Sequence, residues 1–256
     1  MPKTLVLKLE GVFKSFARVE TDDVTNAVAD VNLSMRNGEF ISLVGTSGCG
    51  KSTILRMIAG LISPTAGRLT INGVPIEGPG PERGFVFQKP ALFPWLTVEK
   101  NISFGLRMSG HTAENGERLA RIIHLVGLED FKNDYPGQLS GGMAQRAALA
   151  RSLINQPDIL LLDEPLGALD AFTRMNIQDE LLSIWQKKKQ LMIMVTHDVD
   201  EAVYMGTRVL VMEAHPGRIR TELPIEMEYP RNRSSALFVE YRNRILEMLH
   251  YRTKER

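Results

Sequence analysis

The run Gly45-Thr46-Ser47-Gly48-Cys49-Gly50-Lys51-Ser52 places three glycines around the chain's single cysteine and closes on a lysine and a serine. A glycine inside a regular element costs about 0.5–1 kcal/mol relative to alanine, so the run reads as a loop whose backbone must come close to something. Before it, Phe40-Ile41-Ser42-Leu43-Val44 is short, mostly apolar and β-prone. After it, Thr53-Ile54-Leu55-Arg56-Met57-Ile58-Ala59 reads as a helix that stops at Gly60. Strand, glycine loop and helix in that order form the context of a phosphate-binding loop. Its backbone N–H groups and the positive end of the helix dipole face one anion. Lys51 then reaches the β- and γ-phosphates, and the Ser52 hydroxyl is a Mg²⁺ ligand. Gly45, Thr46, Ser47, Gly48, Cys49, Gly50, Lys51, Ser52 and Thr53 are the candidate nucleotide contacts. Cys49 is expected inside the phosphate cradle, open to a maleimide and protected by MgATP.

The rest of the chain supplies strands and helices in alternation. Thr4 to Leu9 and Val31 to Met35 alternate as half-buried strands, and Arg68 to Ile71 is another, followed by the turn pair Asn72-Gly73. Gly84 to Phe87 is a strand that delivers Gln88 at its end. From Lys89 to Pro157 the pattern turns helical: Leu119, Ile122, Ile123 and Val126 share one face, as do Met143, Ala147, Ala150 and Ile154. Ile159 to Leu162 is a continuous apolar run, as in a strand buried on both faces. A helix on Ile177, Leu181 and Ile184 precedes the strand Leu191 to Val195. Strands at Arg208 to Met212 and Arg218 to Leu223 come next, then a last amphipathic helix carrying Leu237, Tyr241, Ile245 and Met248. This alternation implies a parallel sheet with helical crossovers. Lys187-Lys188-Lys189 falls at a helix C-terminus, where positive charge complements the dipole.

With 256 residues and 43% hydrophobic composition, one sizeable core with or without a smaller subdomain is affordable. A net charge of +1 excludes a global basic field toward nucleic acid or acidic lipid. A single cysteine excludes an intrachain disulfide framework and fits a reducing compartment. No signal peptide is visible, and no apolar run approaches the ~18–20 residues that cross a bilayer. The expectation is a soluble cytoplasmic protein. His111, His124, His215 and His250 form no metal-spaced set.

Two further elements turn a phosphate loop into an ATPase. The apolar run Ile159 to Leu162 ends in Asp163 and Glu164. Asp163 is placed to hold Mg²⁺, directly or through water. Glu164 follows it, points differently on a strand, and can act as general base on an attacking water. Leu139-Ser140-Gly141-Gly142-Met143 opens a helix with a serine and two glycines. Ser140 is explained by an N-cap alone. The glycines weaken a first turn and suggest a second phosphate-reading helix end, and so a composite site.

Leu139 to Met143, followed by Gln145-Arg146, resembles the signature motif of ABC-transporter ATPases, and the resemblance covers essentially the whole chain. It implies that Gly45 to Ser52 is the Walker A element and Ile159 to Glu164 the Walker B element. Gln88 would be the Q-loop residue, catalytic and also on Mg²⁺ with Ser52 and Asp163. Gly167-Ala168-Leu169-Asp170 would be the D-loop, with Asp170 near the nucleotide. His197 would be the switch histidine on the γ-phosphate. Phe16 falls where the family usually places an aromatic that stacks on adenine, with Val12 and Phe13 close by. Thr46 stands where related sequences often have Pro or Asn and contributes backbone.

The implied fold is an α/β P-loop NTPase core with a parallel sheet, a small antiparallel β subdomain and an inserted helical subdomain. Residues 1–88 and 157–228 would form the core, 89–156 the helical signature subdomain, and 229–256 a linker and C-terminal helix. The run Leu92 to Val98, the stretch from His197 to Met212 and the tail from Ala214 resemble the subfamily that energises nitrate, sulfonate and taurine import.

The implied partners are a second copy arranged head to tail, transmembrane permease subunits and, indirectly, a solute-binding protein; no nucleic acid is expected. ATP and Mg²⁺ are the implied cofactors, and the implied place is the cytoplasmic face of the inner membrane. Trp95 reads equally as core of the helical lobe or as part of a groove for the membrane partner. A soluble ABC ATPase acting on nucleic acid or ribosomes is the alternative; such proteins tend to carry tandem cassettes or a long coiled coil between Q-loop and signature. A P-loop kinase leaves Leu139 to Met143 unexplained.

Overall fold

The computed structural model describes residues 5–17, 24–108 and 115–249. Thr4, His111 and His250 lie outside the described residues. The chain divides into two compact units, Met1–Gly80 with Leu191–Arg256, and Pro81–Gln190. The first stretch carries β1 (Val6–Ala17), β2 (Val24–Arg36), β3 (Phe40–Gly45), α1 (Lys51–Ile58), β4 (Ala66–Ile71) and β5 (Val74–Pro75). The second unit carries β6 (Arg83–Val86), α2 (Val98–Ile102), α3 (Phe104–Met108), α4 (Asn115–Leu125), α5 (Gly141–Leu153), β7 (Ile159–Asp163) and α6 (Ala171–Lys188). The chain then adds β8 (Leu191–Val195), α7 (Val199–Met205), β9 (Arg208–Glu213), β10 (Arg218–Pro224) and α8 (Ala236–Met248) to the first unit. The boundary at 89–156 follows the change from strands to helices; the division into compact units also groups β6, β7 and α6 with those helices.

In the first unit, β2-β1-β4-β5 form an antiparallel sheet. Leu7, Leu9, Val31, Leu33 and Met35 are buried and alternate with exposed Lys8, Asn32 and Ser34. β1 is longer than its sequence suggests. Gly11, at φ +55, interrupts the alternation, and the register shifts between Leu9 and Val12. The strand absorbs the extra residues as a bulge and continues through Phe16. A Cβ on the facing Gly67 would lie 2.0 Å from the Gly11 carbonyl oxygen, so the bulge needs glycine opposite it. Asn72 and Gly73 both take left-handed backbone, the twist-compatible turn of a tight hairpin.

The same unit holds strands in the order β10-β9-β3-β8. β3 pairs in parallel with β8 and β9, and β10 closes the edge antiparallel. Phe40 to Val44 and all of β8 are buried, as the unbroken apolar run of β8 and the nearly apolar run of β3, broken only by Ser42, lead one to expect.

In the second unit, β6 and β7 pair in parallel. Its helices share a core of Val98, Ile102, Leu106, Ile123, Val126 and Ile154, with Leu119 and Ile122 packed on its border. Asn101 is fully buried inside this unit. Its Oδ1 accepts from Phe93 N (2.8 Å), and its Nδ2 donates to the carbonyls of Phe93, Leu96 and Thr97 at 3.0–3.1 Å. One amide thus shapes the whole loop before α2. Trp95 projects from that loop 70% exposed, so it is not core. Among the described residues no helix is long and apolar enough to cross a membrane.

Asn101→Ala strands a buried N–H and several carbonyls and is expected to cost about 3 kcal/mol. A lowered urea midpoint with an unchanged m-value checks this; an unchanged midpoint contradicts the role given to the amide.

Candidate functional site

The phosphate loop owes its glycines to two different demands. A Cβ on Gly50 would lie 2.7 Å from the Ala27 carbonyl oxygen, and its φ is +91. A Cβ on Gly45 would lie 2.6 Å from Cys49 Sγ and 2.8 Å from the Met212 carbonyl oxygen. Gly48 is different: φ is +78, but nothing among the described residues comes within 4 Å of its missing Cβ. Packing therefore fixes two glycines, and backbone conformation with an open outer side explains the third. α1 starts at Lys51 after Gly50, an N-cap with no side chain to fill the N-terminal turn, which suits that turn to an anion. The Lys51 ammonium is almost fully buried and donates to the carbonyls of Gly45 (2.8 Å) and Thr46 (2.9 Å).

Cys49 departs from expectation. Its thiol is buried, 3.6 Å from Lys51 Nζ, on the inner side of the loop, and its N–H closes a turn onto the Thr46 carbonyl. The side chain packs and does not enter the cradle. On β1, Val12 is fully buried core, which leaves Phe13 (39% exposed) and Phe16 (42% exposed) as the rings that can stack on a base. The Lys14 ammonium sits 5.0 Å from the Phe16 ring centroid.

His197 follows β8. Thr196 N donates to Leu43 O on β3 (3.1 Å), and the Asp198 carboxylate caps α7 by accepting from Glu201 N (3.1 Å). A groove of about 430 Å³ has Gly45, Thr46 and Ser47 along one wall and His197 and Asp198 along another. The fold thus brings the histidine and the phosphate loop to one cavity in the first unit.

In the second unit, β7 ends at the buried Asp163. Glu164 has already left the strand, with φ +48, a backbone region costly for a residue with a Cβ. Its direction is therefore set by left-handed backbone and not by strand alternation. The Gln88 amide donates to Glu164 Oε2 at 2.9 Å, so β6 and β7 deliver these two side chains to one point. Gln145 of the signature helix, read in the sequence only as part of a motif, proves structural. It is buried and donates to Phe87 O (3.1 Å), which ties α5 to the end of β6 beside Gln88.

Ser140 does cap α5, accepting from Met143 N at 3.2 Å. Gly142 packs against the loop after β7, where a Cβ would meet Ala168 O and Leu169 Cδ2 at 3.2 Å. Among the described residues, nothing comes within 4 Å of the missing Cβ of Gly141. Asp170 caps α6, accepting from Phe172 N (3.1 Å) and Thr173 N (3.0 Å). Hydrogen bonds from Thr173, its backbone N–H first, hold the Asp170 carboxyl below the usual carboxylate range.

A family model described as ABC transporter matches residues 28–167. The chain belongs to the ABC transporter ATP-binding family. An aliphatic sulfonates import ATP-binding protein, SsuB, of Bacillus licheniformis is 48% identical over 223 residues, 87% of this chain and 87% of its own. The SsuB of Bacillus subtilis is 47% identical over 233 residues, 91% of each chain. An ABC transporter ATP-binding protein of Methanocaldococcus jannaschii is 49% identical over 244 residues, 95% of this chain and 91% of that one. A solved dimeric ATP-binding cassette in a post-hydrolysis state, bound to ADP and Pi, superposes with a TM-score of 0.78 at 33% identity, covering 87% of this chain and 100% of that one. This ABC ATPase has the P-loop fold of its family and hydrolyses ATP.

The two demands on the loop separate by substitution. Gly50→Ala meets both a clash and positive φ and is expected to destroy nucleotide binding. Gly48→Ala meets only the backbone cost of left-handed φ, about 1–2 kcal/mol, and should still fold. Thermal melts with and without MgATP check the order. Maleimide should label Cys49 slowly in the folded enzyme, with or without nucleotide, and rapidly in denaturant.

Proposed function

We propose that this ABC ATPase is the energising subunit of an importer for a small anionic solute of the sulfonate, nitrate or taurine kind. The observation that carries the chemistry is the Gln88 amide on the Glu164 carboxylate. Glu164 takes a proton from the attacking water as the water oxygen bonds to the γ-phosphorus and the bond from that phosphorus to the β–γ bridging oxygen breaks, which releases ADP and inorganic phosphate. Gln88, hydrogen-bonded to that base, is the group through which hydrolysis is felt along the chain into the helical segment that follows it. Lys51 and the N–H groups of Gly45 to Thr53 hold the phosphates, His197 contacts the γ-phosphate, and the Phe16 ring stacks on adenine.

Mg²⁺ is a hard cation that takes oxygen ligands, and the Ser52 hydroxyl, the Asp163 carboxylate and the Gln88 amide oxygen are the groups that would hold it. Its charge would offset the negative charge that develops on the phosphates.

Two copies face head to tail, and the Ser140 to Gly142 helix end of one completes the phosphate loop of the other. The open side of Gly141 supports this, since nothing among the described residues comes within 4 Å of its missing Cβ. Asp170, capping α6 beside that helix end, orders the loop that runs along the same face. Transmembrane permease subunits on the cytoplasmic face of the membrane receive the motion, and a solute-binding protein presents the cargo. The exposed Trp95 supports a docked membrane partner. The importer class rests on the relatives named for sulfonate import. The nucleic-acid alternative is not favoured: α2, α3 and α4 span only 5, 5 and 11 residues, with no long coiled coil among the described residues.

Glu164→Gln is expected to retain ATP binding and lower turnover by at least about a hundredfold; wild-type turnover would remove the general base. In that background, Lys51→Ala damages the phosphate loop and Ser140→Arg blocks the signature helix. Mixing the two variants leaves one composite site whole, so ATP-dependent dimers should form that neither variant gives alone. Sedimentation of tagged mixtures reads this, and a mixture no better than its components rules out the shared site.

A further inference from the structure

α7 begins directly after His197, and the chain beyond β10 holds its far end. Arg231 lies there, 4% exposed. Its guanidinium donates to the carbonyls of Val203, Gly206 (2.6 Å) and Tyr204 (3.4 Å), and also to those of Ile225 and Met227 at 3.3 Å. Tyr229 Oη donates to the Met205 carbonyl at 2.7 Å, and its ring lies 4.2 Å from the Arg231 guanidinium. The last carbonyls of a helix have no partner within it and carry the negative end of its dipole. Here two side chains of the C-terminal segment supply that partner, one of them a buried cation.

α8 braces the same helix. Phe238, Tyr241 and Ile245 bury one face of α8, and Tyr241 Oη accepts from Glu226 N at 3.1 Å. Arg242 of α8 approaches Asp200, in the first turn of α7, at 3.7 Å. Leu246 and Leu249 line the groove that also holds His197 and the phosphate loop. α7 has no slack against β3 either: a Cβ on Gly206 would lie 2.8 Å from Ser42 Oγ. A seven-residue helix pinned at its C-terminal turn, braced at its first turn and pressed on the strand that feeds the phosphate loop has one place to sit.

We infer that residues 225–249 form a strap that positions His197, with Arg231 and Tyr229 as its pins. Neither pin touches substrate; both act by fixing the rod that carries the histidine. The inference rests on the reading of His197 as the γ-phosphate contact. A strap of this kind makes the C-terminal segment a determinant of turnover, where plain structural support would affect only stability.

The full chain is tested with Tyr229→Phe, which removes one hydroxyl and keeps the ring, and Arg231→Lys, which keeps the charge and loses the planar fork. Each is compared with His197→Ala at a temperature well below every melting point. The readouts are kcat and KM for MgATP and the ¹H–¹³C spectrum of the histidine rings, with His197 assigned by its loss in His197→Ala. The His197 resonance should move in both pin variants. Turnover should fall about tenfold in Arg231→Lys and less in Tyr229→Phe, because small displacements of a reacting group are costly. KM should stay within about twofold, as expected when ground-state binding is spared. An unmoved His197 resonance, or wild-type kcat in both pin variants, overturns the strap. If Arg231→Lys does not fold, Tyr229→Phe and Arg242→Gln decide by the same readouts. Wild-type turnover in His197→Ala would instead bring down the switch reading itself, a different failure from an inactive His197→Ala beside unaffected pins.

Discussion

The phosphate loop is shaped from outside by backbone that comes too close for any side chain. The Ala27 carbonyl of β2 stands against Gly50 and the Met212 carbonyl of β9 against Gly45. From the other side, a Cβ on Gly217, in the turn between β9 and β10, would lie 2.2 Å from the Cys49 carbonyl oxygen. Loop and surroundings are therefore one object. β3 can end in a tight cradle only because two neighbouring segments press on it, and those segments can approach only because glycine stands at each point of contact. Ala29 N to Gly217 O, at 2.9 Å, and Gly217 N to Ala27 O, at 3.2 Å, stitch the far side. The antiparallel sheet that contributes β2 is thereby part of the machinery of the loop.

That constraint explains which features were legible in the sequence. Periodicity and apolar runs mark where a side chain must be buried, so β3, β7, β8 and the stripe Leu119, Ile122, Ile123, Val126 could be read directly. The glycine loop was legible as a loop, but not why each glycine was there, since the segments that press on Gly45 and Gly50 come from distant parts of the chain. The length of β1 was hidden for a related reason. Gly11 breaks local alternation, and only the paired strand, with Gly67 opposite, shows that the break is a bulge and not an end.

Side-chain direction was the least legible property. Cys49 sits in the right loop, but its thiol is buried against Lys51 and not open to a reagent. Glu164 was read as a strand residue by extension of Ile159 to Asp163, whereas a single left-handed dihedral turns it away. Buried polar residues such as Asn101, Gln145 and Arg231 carry no pattern at all. Each satisfies carbonyls or N–H groups whose need for a partner exists only once the fold is formed.

The same internal satisfaction governs what the site can accept. Lys51 is held by two loop carbonyls, Glu164 by the Gln88 amide, and Ser140 and Asp170 by the N–H groups they cap. Each of these groups therefore has a partner in its own unit, and a ligand has to compete with that partner. Hydrogen bonds to an ammonium contribute about 1.5–3 kcal/mol each, so drawing Lys51 off two carbonyls takes an acceptor stronger than a carbonyl. A polyphosphate, with several anionic oxygens and a matching ring of N–H donors at the start of α1, meets that requirement; a lone neutral acceptor does not. The carbonyls around Lys51 thus make the loop selective before any base or ribose is recognised. Until such an acceptor arrives, the two carbonyls keep the buried ammonium compensated.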